Sequence, residues 1–271
     1  MQFPILNRPL VERLEAAEAE CLTDRMNAIR ERPGNPEGVE VIGFGGATAF
    51  YAKTMPWSWF NTVKRLGAED IGRLDEILLF YRERNRPCQF ELIPSRTTPE
   101  LMDALAERGF CQTGFHTTLY GVPDMEGTEL PAELSIRELQ EDEFELYGEL
   151  HCVGSGMSAD GRLYVAANNR VLYNRPGWRF FIGFVDGQPA GVGVMHMREG
   201  IASFTFAATV PGYRKRGLQS ALLRRRIREA AIHGCDLLVS QAAYASTSQN
   251  NMERAGMRVA YTRATWSERK R

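Results

Sequence analysis

A strand-like segment that leads through a short basic turn into a helix is the feature that most constrains this fold. Residues 201–210 form a largely apolar run that breaks at Pro211-Gly212, and the sequence Arg214-Lys215-Arg216-Gly217 follows closely. From Leu218 to about residue 233, apolar residues recur at helical spacing. Such a turn directs unpaired backbone N–H groups and the positive end of a helix dipole at one point, so it predicts an anion site.

The charge of the chain is divided unevenly between its halves. The 271 residues carry 33 basic and 34 acidic side chains, yet residues 1–130 have a net charge of −6 and residues 131–271 a net charge of +5. A basic second half favours an anionic partner. The run Arg224–Arg228 fits either phosphate binding or a solvated helix face. Because no aromatic residues interleave it, nucleic-acid binding is not expected.

A segment rich in proline, glycine and acidic residues, 122–131, interrupts the hydrophobic pattern and is typical of a linker. The length of the chain suggests two compact units, each long enough to bury a core of its own. We therefore predict a first domain over residues 1–122 and a second over residues 132–271.

Both halves are predicted to contain strands and helices in a similar order. In the second half we predict strands at 134–137, 178–185, 190–197, 201–210 and 236–240. We predict helices at 141–153, 161–173, 218–233 and 248–256, and the basic turn precedes the third of them. In the first half we predict helices at 12–30, 69–84 and 98–109, and strands at 39–45, 47–53, around Phe60, 89–93 and 114–120.

The basic turn and its surroundings resemble the GNAT (GCN5-related N-acetyltransferase) superfamily. Residues 214–219, Arg-Lys-Arg-Gly-Leu-Gln, are similar to the family's Q/R-x-x-G-x-G/A motif. Residues 248–257 are similar to the family's helix that ends in a Gly-Phe pair, here Gly256-Met257. The resemblance covers residues 132–271. It implies an α/β (mixed α+β) fold in which a mostly antiparallel mixed sheet is flanked by helices.

The first half is similar to a second, degenerate copy of the same domain. From residue 40 onward its elements follow the same order, including a helix that ends in Gly109-Phe110. The chain thus resembles the tandem, two-domain form of the superfamily. The counterpart of the basic turn, residues 66–72, carries Glu69 and Asp70, whose charges stabilise a helix N-terminus and repel a pyrophosphate. We therefore predict no cofactor in this half.

Acetyl-CoA is the cosubstrate that the resemblance implies. The backbone at the end of the third strand is expected to bond the pantetheine arm, and the turn with the helix start is expected to hold the pyrophosphate. The residues assigned to the cofactor in this way are Ala207, Ala208, Thr209, Arg214, Lys215, Arg216, Gly217, Leu218, Gln219, Ser220 and Ser248.

The activity that the resemblance implies is acetyl transfer to a primary amine by direct attack in a ternary complex. Met252 stands in the position of the family's tyrosine general acid and cannot donate a proton, so Tyr244 is the expected acid. The third strand carries no carboxylate on the relevant face. Thr205 is therefore a candidate to hold a water, and His196 is a candidate base. His151 and His196 also fit buried core histidines.

Several classes of protein are not expected from this sequence. The five cysteines and four histidines are scattered, which argues against a disulfide framework or a metal site and favours a cytoplasmic location. No apolar stretch is long enough for a membrane span. The expected partner is a small-molecule or peptide amine, and the chain is expected to be a monomer or a homodimer. The alternative function is a non-catalytic CoA-binding, acyl-CoA-binding or sensory module.

Overall fold

The computed structural model describes residues 3–55, 57–125 and 129–269, and within these ranges the chain forms seven α-helices and eleven β-strands. The helices are α1 (Arg8–Arg30), α2 (Leu74–Glu83), α3 (Pro99–Glu107), α4 (Phe144–Ser155), α5 (Arg162–Arg170), α6 (Leu218–Ile232) and α7 (Thr247–Arg254). The strands are β1 (Val39–Phe44), β2 (Ala47–Ala52), β3 (Val63–Lys64), β4 (Gln89–Leu92), β5 (Phe110–Gly121), β6 (Leu134–Glu138), β7 (Trp178–Val185), β8 (Gln188–Arg198), β9 (Ile201–Thr209), β10 (Leu237–Ala242) and β11 (Arg258–Glu268). None of the described helices is both long and apolar enough to cross a lipid bilayer.

Two compact units make up the fold. The C-terminal unit consists chiefly of Leu119–Gln241 and Ala245–Arg258, and the N-terminal unit consists chiefly of Ile5–Thr118 and the segment that begins at Val259. Each unit contains a mostly antiparallel mixed sheet with helices packed against it, which confirms the predicted fold class.

The C-terminal unit arranges its strands in the order β6-β7-β8-β9-β10. β6 to β9 are antiparallel neighbours, whereas β10 is parallel to β9. The hairpin between β7 and β8 turns at Asp186-Gly187, where both residues have positive φ, as a tight hairpin requires. α4 and α6 pack against β8 and β9. β7 is buried over most of its length, which accounts for its nearly continuous apolar sequence.

The N-terminal unit repeats this connectivity. β1, β2 and β3 are antiparallel neighbours, and β4 is parallel to β3. Ile77 and Tyr81 of α2 recur at helical spacing and lie in the core, where the Tyr81 hydroxyl donates to the backbone oxygen of Phe50 at 2.7 Å. The strand predicted around Phe60 is wrong, because Ser58–Phe60 forms a single 3-10 turn and β3 begins at Val63.

The last strand lies in the N-terminal unit. β11 is antiparallel to β4 and is placed next to β5 in the strand order. Its Arg263 is buried and pairs with Glu18 at 2.9 Å and with Glu91 at 3.0 Å. Burial raises the pKa of Glu91, but Arg263 and Lys64 outweigh burial and hold it at about 2. β11 thus belongs to the same compact unit as β4.

Candidate functional site

An open strand edge lies at the C-terminal end of β9. β8 pairs with β9 as far as Thr209, whereas β10, on the other side, pairs only with Ile201–Phe204. In the described part of the chain, the second edge of residues 205–209 therefore has no strand partner. Ala207 and Thr209 direct their backbone groups to this edge, whereas Ala208 faces β8, as does Val210, whose N–H donates to the Ala190 oxygen. Backbone groups on an unpaired edge are available to a ligand that pairs as a strand does.

A β-bulge occurs where this edge begins. Val194 is paired with Phe206 and Met195 with Phe204, so Thr205 is the extra residue of β9. The Thr205 side chain is exposed. A bulge bends its strand and takes backbone groups out of the ladder, which leaves them free for other contacts. Thr205 thus marks the point at which β9 and β10 separate.

A buried arginine contacts the bulge. Arg226 of α6 is 2% exposed, and its Nη1 donates to the backbone oxygens of Val194 at 3.3 Å and Phe206 at 3.4 Å. Its guanidinium also lies over the ring of Phe204. Burial lowers the pKa of Arg226 to about 10. Both predicted interpretations of the run Arg224–Arg228, phosphate binding and a solvated face, are wrong for this residue, because the helical period directs it toward the sheet.

The basic turn forms a concave group of backbone amides at the start of α6. Lys215 has a φ of 64°, and Gly217, with a φ of 83° and a ψ of −8°, is left-handed and precedes the first helical residue. Turns that combine ordinary and left-handed residues direct successive N–H groups toward one point. No described side chain caps this helix, and the first intrahelical bond runs from the Ala221 N–H to the Gly217 oxygen. The N–H groups of residues 218–220 therefore remain available to an anion.

Leu218 fixes the start of α6 to the sheet. The side chain is 1% exposed, and an added Cβ at Gly183 would lie 2.7 Å from its Cδ1. Gly191 approaches the same side chain closely. Only the backbone N–H of Leu218 is thus available to a ligand. The Gln219 side chain turns toward β9, where its Oε1 accepts from the Thr209 hydroxyl at 3.4 Å.

The three basic side chains of the turn have different surroundings. The Arg214 guanidinium donates to the backbone oxygens of Thr209 at 3.3 Å and Gly154 at 2.9 Å, so it ties the turn to β9 and α4. Arg216 pairs with Asp186 at 2.8 Å. The Lys215 side chain is exposed. Among the three, Lys215 is the one best placed to meet a phosphate from solvent.

The remaining predicted site residues lie in separate places. Tyr244 is 70% exposed in the loop after β10. His196 is 3% exposed in β8, with its ring tilted against Trp178 at a centroid distance of 4.7 Å. Ser220 and Ser248 are exposed near the starts of α6 and α7. No group of three or more His, Cys, Asp or Glu side chains among the described residues is arranged to hold a metal ion.

A histidine that the sequence left undecided lies beside the bulge. The imidazole of His151, near the end of α4, stacks on the ring of Phe206 with centroids 3.7 Å apart and planes 7° apart. Its Nδ1 lies 3.1 Å from the hydroxyl of Tyr147, which donates to Oδ1 of Asn169 at 3.4 Å. The only sequence signal for this group was the apolar helix face that carries Tyr147 and His151. Phe206 and Asn169 come from other elements.

The N-terminal counterpart of the turn is filled by its own carboxylate. Arg65, two residues before Gly67, has a φ of 62° that matches Lys215 of the basic turn, but Gly67 is extended, with a φ of −129°. Asp70 is buried, and its carboxylate accepts the N–H groups of Gly46 at 2.8 Å and Gly67 at 3.1 Å. The N–H of Gly67, at the counterpart of Gly217, is thus bonded to a carboxylate of the same turn.

Comparisons with known proteins support the fold. No protein-family model matches the sequence, and no curated protein matches it. Among solved structures, the chain is similar to a GCN5-related N-acetyltransferase from Kribbella flavida, with a TM-score of 0.70 and 15% identity over 96% of this chain and 95% of that one. A GCN5-related N-acetyltransferase from Sphaerobacter thermophilus has a TM-score of 0.61 and 14% identity, covering 99% of this chain and 96% of that one.

A third similar structure has the same tandem organisation. It is a tandem GNAT protein from the clavulanic acid biosynthesis pathway, in a form without acetyl-CoA, with a TM-score of 0.58 and 15% identity. The match covers 100% of this chain and 99% of that one. The protein therefore has the tandem GNAT fold, as the resemblance of the turn and the element order implied.

Proposed function

We propose that the chain is an acetyl-CoA-dependent N-acetyltransferase that transfers acetyl to a primary amine by direct attack in a ternary complex. The observation that carries the proposal is the open edge of β9 at residues 205–209, which is followed by the uncapped start of α6. The pantetheine arm of CoA carries amides that can pair with a strand edge, and the pyrophosphate at its end can bind a helix N-terminus. The open edge and the helix start follow each other along the chain in the order that such a ligand requires.

The C-terminal unit supplies complementary groups for both ends of the cosubstrate. Ala207 offers its backbone N–H and C=O groups, and Thr209 its N–H, to the amides of pantetheine, and Ala208 stays a predicted contact. The N–H groups of residues 218–220 meet the pyrophosphate, and Lys215 adds a positive charge from solvent. We retain the side chains of Arg214, Arg216, Gln219 and Ser248 as predicted contacts.

The bulge provides a means to polarise the thioester. Backbone groups around Thr205 lie outside the regular β8–β9 ladder, and a fixed N–H donor beside a carbonyl oxygen stabilises the negative charge that develops there. Holding the amine and the carbonyl carbon in contact then supplies a large part of the rate enhancement. In this proposal Tyr244 protonates the departing sulfur and Thr205 holds a water. His196 is kept as a predicted base, although its burial limits access by an amine.

Two measurements on one preparation test the proposed function. Calorimetry with CoA reports binding, and thioester consumption with a panel of small-molecule and peptide amines reports transfer. Binding together with amine-dependent consumption is the expected result. Binding without turnover of any amine supports the non-catalytic CoA-binding module instead, and failure to bind CoA contradicts both functions.

Replacing Tyr244 with phenylalanine tests the proton donor. The change removes only a hydroxyl from a 70% exposed side chain, so stability and CoA affinity should stay as in the parent. We expect kcat to fall by about 10-fold, below the usual range for a general acid, because a CoA thiolate is a good leaving group. Tyr173→Phe, which removes a hydroxyl from a residue packed on Phe144, is the matched control. An unchanged kcat for Tyr244→Phe excludes Tyr244 as the acid.

The stoichiometry of CoA binding tests the role of the N-terminal unit. Asp70 takes the N–H groups of Gly46 and Gly67, and Glu69, which pairs with Arg96 at 2.9 Å, adds a second carboxylate, so the turn carries negative charge where a pyrophosphate needs donors. Calorimetry should therefore give one CoA per chain. Two sites of similar affinity contradict the interpretation of the N-terminal unit as a degenerate copy.

A further inference from the structure

We propose that His151 is the general base that deprotonates the acceptor amine, an inference that rests on the acetyl transfer proposed above. The position of its imidazole is defined by the bulge. The ring stacks on Phe206, 3.7 Å away between centroids, and Phe206 directly follows the bulged Thr205. An imidazole held in this way lies against the part of β9 that is offered to the thioester.

The hydrogen bonds of the His151 ring define the tautomer that the proposal requires. Nδ2 of Asn169 donates to the Val165 oxygen at 2.8 Å, which sets the orientation of the amide and directs its Oδ1 to Tyr147. In the proposed arrangement the Tyr147 hydroxyl donates to that Oδ1, and its oxygen accepts from Nδ1 of His151. Nδ1 then carries the proton of the neutral imidazole, and Nε2 carries the lone pair.

This arrangement has the organisation of an oriented base. Tyr147 orients the imidazole of His151, and Asn169 orients the hydroxyl of Tyr147. Other sites in which a histidine accepts a proton have the same organisation. Tyr147 is buried and Asn169 is 6% exposed, so the packing around them restricts the movement of both side chains. His151 itself is only partly buried, so a proton that it accepts can pass on to solvent.

The other candidates for a base fit less well. β9 carries no Asp or Glu on either face. His196 is 3% exposed and packs against Trp178, so an amine cannot reach it without rearrangement of the core. His151 is thus the titratable group best placed beside the open edge.

The protons balance as follows. Nε2 of His151 takes one proton from the ammonium form of the acceptor, and the freed nitrogen lone pair forms a bond to the carbonyl carbon. The carbon–sulfur bond breaks, and the sulfur takes the hydroxyl proton of Tyr244. Tyr244 regains a proton from the acylated nitrogen through solvent, and His151 releases its own proton to water. The products are the amide, the CoA thiol and one proton.

Replacing His151 with asparagine tests the proposal by kinetics. The Asn amide keeps an N–H donor near the position of Nδ1 and removes Nε2. We expect kcat to fall by about 10²-fold, with the CoA affinity measured by calorimetry unchanged. His233→Asn is the matched control, because His233 lies at the far end of α6 and contacts the Glu229 oxygen there. A His151→Asn variant that binds CoA and turns over at the parent rate overturns the proposal.

The tautomer provides a readout that does not depend on activity. In ¹⁵N NMR of the parent labelled at histidine, the His151 ring should carry its proton on Nδ1, and Tyr147→Phe should shift the ring toward the Nε2-protonated form. A parent with the proton on Nε2 overturns the proposal even if His151→Asn fails to fold. A parent that binds CoA but acetylates no amine defeats the proposed function and this inference together, whereas parent-like turnover by His151→Asn defeats this inference alone.

Discussion

Replacing Gly217 with valine is expected to weaken CoA binding by about 10-fold to 100-fold, because a left-handed conformation costs a non-glycine residue roughly 1–3 kcal/mol and about 1.4 kcal/mol is tenfold in affinity. Gly217 has a φ of 83°. A β-branched residue leaves this region readily, which turns the N–H groups of residues 218–220 away from their common point. The fold itself should survive, because an added Cβ meets nothing closer than 3.8 Å.

A second left-handed glycine provides the matched control for this variant. Gly234 follows the opposite end of α6, has a φ of 71° and also has open space around an added Cβ. Gly234→Val therefore introduces a similar backbone strain away from the turn, and its CoA affinity should equal that of the parent. If Gly217→Val binds CoA as tightly as Gly234→Val, the basic turn is not the pyrophosphate site.

Local sequence signals were sufficient to predict most of the fold. The strand, turn and helix around Gly217 were predictable because apolar spacing, a positive-φ position and a helix start are all encoded within a few neighbouring residues. The hairpin at Asp186-Gly187 was predictable for the same reason. The order of elements in both halves then led to the tandem fold that the structural comparisons support.

Features that depend on pairing between distant segments were not predictable. β11 pairs with β4, and nothing in the alternating pattern of 258–268 states which sheet receives it. The bulge at Thr205 is visible only from the register of β8 against β9. The group around His151 brings together α4, α5 and β9, so the sequence left the role of that histidine open.

The N-terminal counterpart of the basic turn keeps only part of its geometry. Arg65 and Lys215 share a left-handed backbone two residues before a glycine, but Gly67 is extended where Gly217 is left-handed. The acidic pair Glu69-Asp70 was expected to repel a pyrophosphate, and the carboxylate of Asp70 in fact bonds the donors of Gly46 and Gly67 directly. The charges of Glu69 and Asp70 were enough to predict that this turn repels a pyrophosphate. The hydrogen bond from Gly46 to Asp70 was not predictable, because Gly46 is distant in sequence.

The burial of Arg226 was also not predictable from the local sequence. In sequence it is one of several arginines on α6, whereas Arg228 is exposed and Arg226 is 2% exposed. Its cost is desolvation, because burial lowers the pKa of its guanidinium to about 10, a shift that corresponds to about 3 kcal/mol. Its gain is three charge-assisted hydrogen bonds, to the oxygens of Leu222, Val194 and Phe206, each contributing roughly 1.5–3 kcal/mol.

Arg226→Met should accordingly lower the free energy of unfolding by roughly 2–6 kcal/mol, because relief of the buried charge offsets only part of the lost hydrogen bonding.

The change should also affect catalysis, by an amount of similar size in free energy. Without its guanidinium the bulge at Thr205 loses the donor that joins β8 to β9 there, and a displacement of about 1 Å at a reacting centre costs about 10²-fold in rate. We therefore expect kcat to fall by about 10²-fold, while CoA affinity, to which the turn at residues 214–220 contributes independently of the bulge, falls much less. Urea denaturation, calorimetry and steady-state kinetics on Arg226→Met and on the exposed control Arg228→Met separate the two effects. A variant that loses stability but keeps kcat would make Arg226 a purely structural residue, since a bulge that positions the thioester cannot shift without a cost in rate.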